Sequence, residues 1–465
     1  MKNSFSKKFI GNRDFYRRLL AILLPVLIQN VVTNFVSLLD NIMVGRIGTE
    51  PMSGVAIVNQ LLFVFNLCIF GGLSGAGIFT AQFFGRGDEK GVADTVRIKL
   101  YICVLSVAVF GTIFLLFGDP LIRLFLHEGE VGLNLEKTLA FGREYLAVML
   151  LQMIPFALMQ VYSSTLRECG ETLVPMKAGI AAIFINLGLN YILIFGKLGF
   201  PALGVVGAAT ATVIARFVEC AIVVIWAHLH TDEHSYLKGL YRTFRIPAPL
   251  IKRVAVKGAP LLMNEVLWSS GMTVLNQCYS VRGLEVVSAI NISSTVSNLF
   301  FCAFFATGST IAIMIGQLLG AGELERAVDE DRKLLAFAVA LSTVFGALMA
   351  LLAPVIPKLY NTQEEVRMLA TQFLTVVALL MPFHAFTNGS YFTLRSGGRT
   401  LITFLFDSAF IWTVNVPVAM ILTYATGLKI LPIFTAVQCI ELIKVVLGVI
   451  LLKRQGWVNN LVQEF

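Results

Sequence analysis

The sequence predicts an all-α polytopic membrane protein, with twelve transmembrane helices in two pseudo-symmetric six-helix bundles. Three observations predict it. Over 465 residues the chain is 57% hydrophobic and only 14% charged, where a soluble protein carries about 25% charged residues. About twelve segments reach the roughly 20 apolar residues that a spanning helix needs. The chain also repeats itself. Residues 25–97 align without a gap on residues 260–332, with about 17 identities over roughly 73 positions, about three times the chance level. A repeat in hydrophobic sequence is the mark of a duplicated transporter-like core.

The first-half spans fall near 18–43, 52–84, 98–118, 143–166, 174–196 and 204–228. Those of the second half fall near 252–280, 286–319, 333–356, 367–394, 400–425 and 430–452. In the first part of each half, Pro25 aligns on Pro260, Asn41 on Asn276, Gly48 on Gly283, Ser74 on Ser309 and Gln82 on Gln317. Gly85 and Gly87 align on Gly320 and Gly322, and Asp94 and Arg97 on Asp329 and Arg332. Segments 52–84 and 286–319, equivalent in the repeat, are too long for one perpendicular span and predict tilted or projecting helices. The later part of each half repeats at a shorter offset: Thr165-Leu-Arg-x-x-Gly170-x-Thr172 matches Thr393-Leu-Arg-x-x-Gly398-x-Thr400. The difference places about seven extra residues in the loop 118–143, which is longer than its second-half counterpart. Six spans per half return the chain to its starting side, so both halves enter the membrane alike, with a cleft expected between them. The expected domains are an N-terminal bundle (1–229), a polar, basic connector (230–250) and a C-terminal bundle (251–465).

Basic residues give the orientation. With the N-terminus inside, inner segments hold about 25 of the 36 Lys and Arg residues, and both termini are expected to be cytoplasmic in the cell membrane. The net charge of +8 then faces anionic lipid rather than nucleic acid. Lys2, Lys7, Lys8, Arg13, Arg17 and Arg18 precede an apolar run of full spanning length and no small-residue cleavage site, so no signal peptide is expected. The seven cysteines lie singly, which points to neither a disulfide framework nor a metal site. No GxxxxGK[ST] appears, so an ion gradient must drive any transport. No cofactor beyond that coupling ion, and no partner subunit, is called for; the protein is expected to act as a monomer in the lipid bilayer.

Ionisable and amide side chains inside spans are costly and mark function. Asp40 sits toward the outer end of the first helix, with Arg46 the nearest base in sequence. Glu265 lies three to four turns into the seventh, opposite Asn30 in the repeat, and is poised to exchange a proton or bind a cation. Asp407 lies two turns into the eleventh helix, with Asn415 on its face at i+8; the bland alternative is a carboxylate bonded to the cytoplasmic loop. His384, with Asn388 at i+4, suits either a satisfied core histidine or a site group. Asn186 and Asn190, an i, i+4 pair, can line a cavity or join helices. Arg216/Glu219 and Glu441/Lys444 read as intrahelical salt bridges. Pro25 and Pro260 remove a backbone hydrogen bond at the same repeat position, which suits a pair of hinges. Phe63, Phe65, Phe300, Phe301, Phe304 and Phe305 are expected mostly against lipid or other helices.

Together, Pro25 with Asp40-Asn-Ile-Met-Val-Gly45-Arg-Ile-Gly48, Gln82-x-x-Gly85-x-Gly87, Leu166-Arg-x-x-Gly170-x-Thr172 and Asn186-x-x-x-Asn190-Tyr-Ile-Leu-Ile-Phe-Gly196 resemble the multidrug and toxic compound extrusion (MATE) family over essentially the whole chain. The resemblance implies two six-helix bundles forming a V, and antiport of organic cations against H⁺ or Na⁺. It matches Asp40 to the family's first-helix acid, Pro25 to its bending proline, and Glu265 to its seventh-helix glutamate. Asn190 stands where many relatives carry aspartate, and His384 near where some carry an acid. The expected function is therefore gradient-driven export of lipophilic organic cations by alternating access. The alternative within transport is a flippase for a lipid-linked oligosaccharide or other lipid, which would need a cleft lined with Arg and Lys. An intramembrane enzyme would need converging nucleophile, base or metal ligands, and no HExxH appears.

Overall fold

The computed structural model describes residues 8–126, 134–360 and 362–465, with the side chains of residues 36–38, 41 and 42 left aside. Lys2 and Lys7, the side chain of Asn41 and the middle of the 118–143 loop lie outside the described residues. Among the described residues twelve long helices follow one another. They are α1 (Arg13–Gly45), α2 (Thr49–Arg86), α3 (Glu89–Arg123), α4 (Leu135–Glu168), α5 (Leu173–Phe195) and α6 (Gly204–Leu229). The second half holds α7 (Ala248–Ser280), α8 (Leu284–Gly320), α9 (Leu324–Leu352), α10 (Glu364–Ser396), α11 (Thr400–Tyr424) and α12 (Ile430–Lys453). Eleven of the twelve are long and apolar enough to cross a membrane. The exception is α7, whose middle carries Asn264, Glu265, Ser269 and Ser270 and so has a lower mean hydropathy. The protein is a multi-pass membrane protein. The excess length expected of the two equivalent segments is present: α2 has 38 residues and α8 has 37.

Compactness divides the chain differently from duplication. One unit comprises residues 28–80 and 89–252; the other comprises 1–27, 81–88 and 253–465. The beginning of α1 explains part of this. Phe15, Leu19 and Ile22 are three and four residues apart and so share a helix face. All three are buried, in a cluster with Ile311, Met314, Ile315 and Leu318 of α8.

The last turns of α2 belong to that same unit because they cross the last turns of α8 at close range. A Cβ added to Gly85 would stand 1.9 Å from the Gln317 carbonyl oxygen, and one added to Gly320 would stand 1.9 Å from that of Gln82. Only glycine lets two helix backbones approach so closely. Two residues on, Gly87 and Gly322 take φ +77° and +79° to end their helices. Two of the repeat's identities, Gly85/Gly320 and Gly87/Gly322, thus have a backbone cause, the first on the two sides of one crossing and the second in the helix ends.

The carboxy-terminal segment after α12 packs over this crossing. Gln82 Nε2 donates to the carbonyls of Ser396 (2.9 Å) and Asn459 (3.3 Å), and its Oε1 accepts from the Leu461 N–H at 2.7 Å. Arg86 donates to the Val462 carbonyl, and Asn460 Nδ2 to that of Gly320 at 3.1 Å. In the other unit, the connector is held against α3 and α4 rather than standing free. Arg97 Nε donates to the Leu240 carbonyl at 3.0 Å, Tyr101 donates to that of Phe244 at 3.1 Å, and the Tyr162 hydroxyl meets that of Tyr241. Of the singled-out phenylalanines, Phe65, Phe300 and Phe304 are buried, whereas Phe63 and Phe305 are exposed.

Candidate functional site

Among the described residues, most of the predicted site residues gather in two polar clusters within the spanning helices, one in each unit. In the unit containing residues 28–80 and 89–252, α1 presents Asp40 to α5. Asn190 Nδ2 donates to Asp40 Oδ1 at 2.8 Å and to Asn186 Oδ1 at 3.1 Å. Asn186 in turn contacts Thr212 of α6 at 3.2 Å. With its amide turned over, Asn186 reaches both Asp40 oxygens at 3.0 Å and accepts from Thr212, losing the bond from Asn190. The i, i+4 asparagine pair therefore faces the acid, and the predicted residues Asp40, Asn186 and Asn190 form one group. Asp40 is only half-buried. The base acting on it across space is Arg216 of α6, not Arg46; helix packing supplies a charge that is remote in sequence. Arg216 itself is bonded to Glu219 at 2.7 Å, as its i, i+3 spacing predicts, and lies over the Phe156 ring.

The second cluster joins α7, α10, α11 and α12. Asn264 ties α7 to α11: its Nδ2 donates to Asp407 Oδ2 at 3.1 Å, and its Oδ1 accepts from the Ser408 hydroxyl at 2.7 Å. Below it, Trp412 Nε1 donates to the Leu267 carbonyl at 2.9 Å. Residues 405–409 and 411–415 of α11 are wound as π-helical turns, a feature frequent at functional sites. The other carboxylate oxygen of Asp407 accepts from the Lys444 ammonium at 3.2 Å. Lys444, 6% exposed, also stands 3.6 Å from Glu441 Oε2. Glu441 Oε1 accepts from the Thr387 hydroxyl at 2.7 Å and lies 4.0 Å from His384 Nδ1. Asp407 is thus bonded within the spanning region, to Asn264 and Lys444, and not to the loop before α11.

Glu265 differs from all of these. It is half-buried, and only charges at a distance, Arg395 and Asp407, act on it; no hydrogen bond from a described residue reaches its carboxylate. Asn30, its repeat partner, is half-buried in α1, and its carbonyl accepts from Asn34. His384 Nε2, Asn388 Oδ1 and Asn415 Oδ1 are buried without a hydrogen-bond partner in the described residues. Pro25 and Pro260 lie inside α1 and α7.

The MatE family model matches residues 25–192 and 260–450, most of both halves. The chain belongs to the MatE family. It is 26% identical to a probable multidrug resistance protein NorM of Thermotoga maritima, over 91% of this chain and 89% of that one. It is 25% identical to the probable multidrug resistance protein YoeA of Bacillus subtilis, over 90% and 89%. Its fold matches a crystal structure of a mutant of the Vibrio cholerae MATE transporter VcmN, with a TM-score of 0.85 at 18% identity over 96% and 98% of the chains. It also matches a MATE structure in the bent conformation, with a TM-score of 0.84 over 95% and 96%.

Sequence reasoning missed several polar residues of this MatE protein. Lys99, fully buried in α3, donates to Thr165 (3.0 Å), Ser164 (3.2 Å) and Glu168 (2.5 Å) of α4. Asp331, 3% exposed in α9, accepts from Thr393 of α10 at 2.5 Å. Both lie near helix ends rich in charge, where a buried ionisable group looks like a solvated one. Asn264, next to Glu265 and aligned with Gln29, carried a signal that was available: the repeat keeps an amide there.

Proposed function

We propose that the chain is an ion-gradient-driven antiporter that exports lipophilic organic cations by alternating access, in the cell membrane with both termini cytoplasmic. The observation that carries this reading is Glu265: a half-buried carboxylate inside α7 that no hydrogen bond from a described residue reaches. A carboxylate in low dielectric must find a cation or a proton. It binds either the coupling ion, H⁺ or Na⁺, or the cationic cargo, but not both. Asp40, held by Asn190, is a second such group. Entry of the ion from outside neutralises the acid, weakens cargo binding and permits release. Pro25 and Pro260 serve as hinges, and the names of the relatives agree with drug-like cargo. The buried bases Lys99 and Lys444 are each paired with carboxylates. That pairing supports cationic cargo over the pyrophosphate of a lipid-linked sugar.

The test is export of the fluorescent cation ethidium from proteoliposomes under a pH gradient and, separately, a sodium gradient. Wild type is expected to respond to one of them, and Glu265→Gln and Asp40→Asn to lose gradient-driven export. Wild-type rates in both variants would refute the assignment.

A further inference from the structure

The Asp407 cluster has a counterpart in the other half, and the differences between them point to a ligand. At the offset of the later repeat, Lys444 aligns on Arg216, Asp407 on Gly179, Phe406 on Ala178 and Phe410 on Ala182; at the offset of the earlier repeat, Asn264 aligns on Gln29. The structure keeps the correspondence. A Cβ on Gly179 would stand 3.0 Å from Gln29 Nε2 and 3.5 Å from Glu219 Oε1, so amide, α5 position and acid converge there as they do around Asp407. In that half one base faces one acid, Arg216 with Glu219. In the C-terminal half one ammonium is shared by two acids, Asp407 and Glu441. The α11 positions equivalent to two alanines carry buried aromatic rings, with centroids 6.0 Å (Phe406) and 5.6 Å (Phe410) from Lys444 Nζ. The C-terminal cluster therefore has one carboxylate more than its base requires, and two rings placed against the cation.

A carboxylate with aromatic faces is the chemistry that recognises an organic ammonium group. We propose that Asp407, Phe406 and Phe410 form a site for the ammonium head of an amphiphilic organic cation, and that Lys444, whose own ammonium fills this position, is the competitor that yields it. Lys444 gives up Asp407 by pairing with Glu441 alone, one turn away on its own helix. In the other half Arg216 likewise pairs with one acid a turn away on its own helix, Glu219, which follows it where Glu441 precedes Lys444. Lysine suits the task because its ammonium sits on a flexible four-carbon stem, whereas the arginine fork is held by its fixed geometry. Asp407 and Phe406 lie on the wide π-helical winding at 405–409, and His384, whose Nδ1 stands 4.0 Å from Glu441, has a buried Nε2 with no hydrogen-bond partner among the described residues, a polar atom left for a donor on the cargo. Lys444 then acts as a specificity residue: only a cation that satisfies Asp407 and both rings displaces it, and a small hydrated ion gains nothing from the rings.

This inference rests on the reading of the protein as a cation exporter, and binding separates the two. Ethidium affinity is measured by fluorescence on purified protein in lipid nanodiscs, beside export from proteoliposomes. Lys444→Met is expected to bind ethidium about tenfold tighter than wild type, about 1.4 kcal/mol. The gain should disappear in Asp407→Asn/Lys444→Met and shrink in Phe410→Ala/Lys444→Met. Removing Lys444 leaves two half-buried acids, which endangers folding, so Glu441→Gln/Lys444→Met, with the net charge of the wild-type cluster, is measured as well and should show the same gain. Unchanged or weaker binding in the variants that keep the wild-type elution profile overturns the proposal, as does a gain that survives loss of Asp407. Absence of wild-type export with the Lys444→Met gain present refutes the exporter reading and leaves the site. Export by wild type without that gain refutes the site alone.

Discussion

Thr165 and Thr393 occupy the same place in the two halves, one near the end of α4 and the other near the end of α10, yet they hold opposite charges. Thr165 accepts a hydrogen bond from the Lys99 ammonium, and Thr393 donates one to the Asp331 carboxylate. A hydroxyl serves either role, so duplication could keep the threonine while the partner helix changed sign. Lys99 and Asp331 stand one turn apart in register. The same holds deeper in the membrane, where the level of Glu265 in α7 carries Asn30 in α1 and that of Asp40 in α1 carries Leu275 in α7. What the halves share is backbone: the glycine crossing and the helix stops. What they do not share is the placing of the acids inside the spans. The scaffold is doubled, and the chemistry sits where the copies differ.

The comparison can be broken first at its common part. Gly85→Val and Gly320→Val each drive a side chain into a facing carbonyl, and each should cost about 3 kcal/mol. Both are expected to lower the melting temperature of the purified protein by similar amounts. A large loss in one with none in the other would show that the two sides of the crossing are not equivalent.

The differing part is sharpened by the threonines. Thr393→Val removes the hydrogen bond made to buried Asp331 and should cost about 1–3 kcal/mol, the penalty of an unsatisfied buried group. Thr165→Val leaves Lys99 with Glu168 and Ser164, and should cost about 0.5–1 kcal/mol. Thermal melting of the two variants checks the order; equal losses would mean that the sign of the partner is irrelevant.

The smallest effect belongs to the connector. Hydrogen bonding and charge from Lys238, 2.7 Å away, hold the exposed Asp232 carboxyl below the usual carboxylate range. A depressed carboxylate pKa favours the fold above its unfolded value and stops doing so as pH falls through the folded one. Solvent screens this pair. Lys238→Ala should therefore move the Asp232 titration back up, read by NMR, and leave melting at neutral pH unchanged.

Much of this architecture was legible in the sequence, because hydropathy and a gapless repeat are local signals. The twelve helices and the extra length of α2 and α8 could be read directly. So could the Arg216–Glu219 pair and the Asn186/Asn190 face, since i, i+3 and i, i+4 neighbours are fixed by helix geometry. The contacts that make the clusters were not legible. Asn190 meets Asp40 from 150 residues away, Lys444 meets Asp407 from 37 away, and Asn264 meets Asp407 from 143 away; no periodicity encodes such partners. Arg46 was the wrong base for Asp40 because proximity along the chain says little where helices pack side by side. The π-helical turns of α11 have no sequence pattern of their own.

The central claim is that the position of the acid, and not the number of acids, carries the function. It is tested most directly by moving the Glu265 carboxylate to its repeat-equivalent place. The double variant Asn30→Glu/Glu265→Asn keeps the composition and swaps the halves at one level. Gradient-driven ethidium export from proteoliposomes is expected to fall to the level of empty liposomes. Export at the wild-type rate would contradict the account.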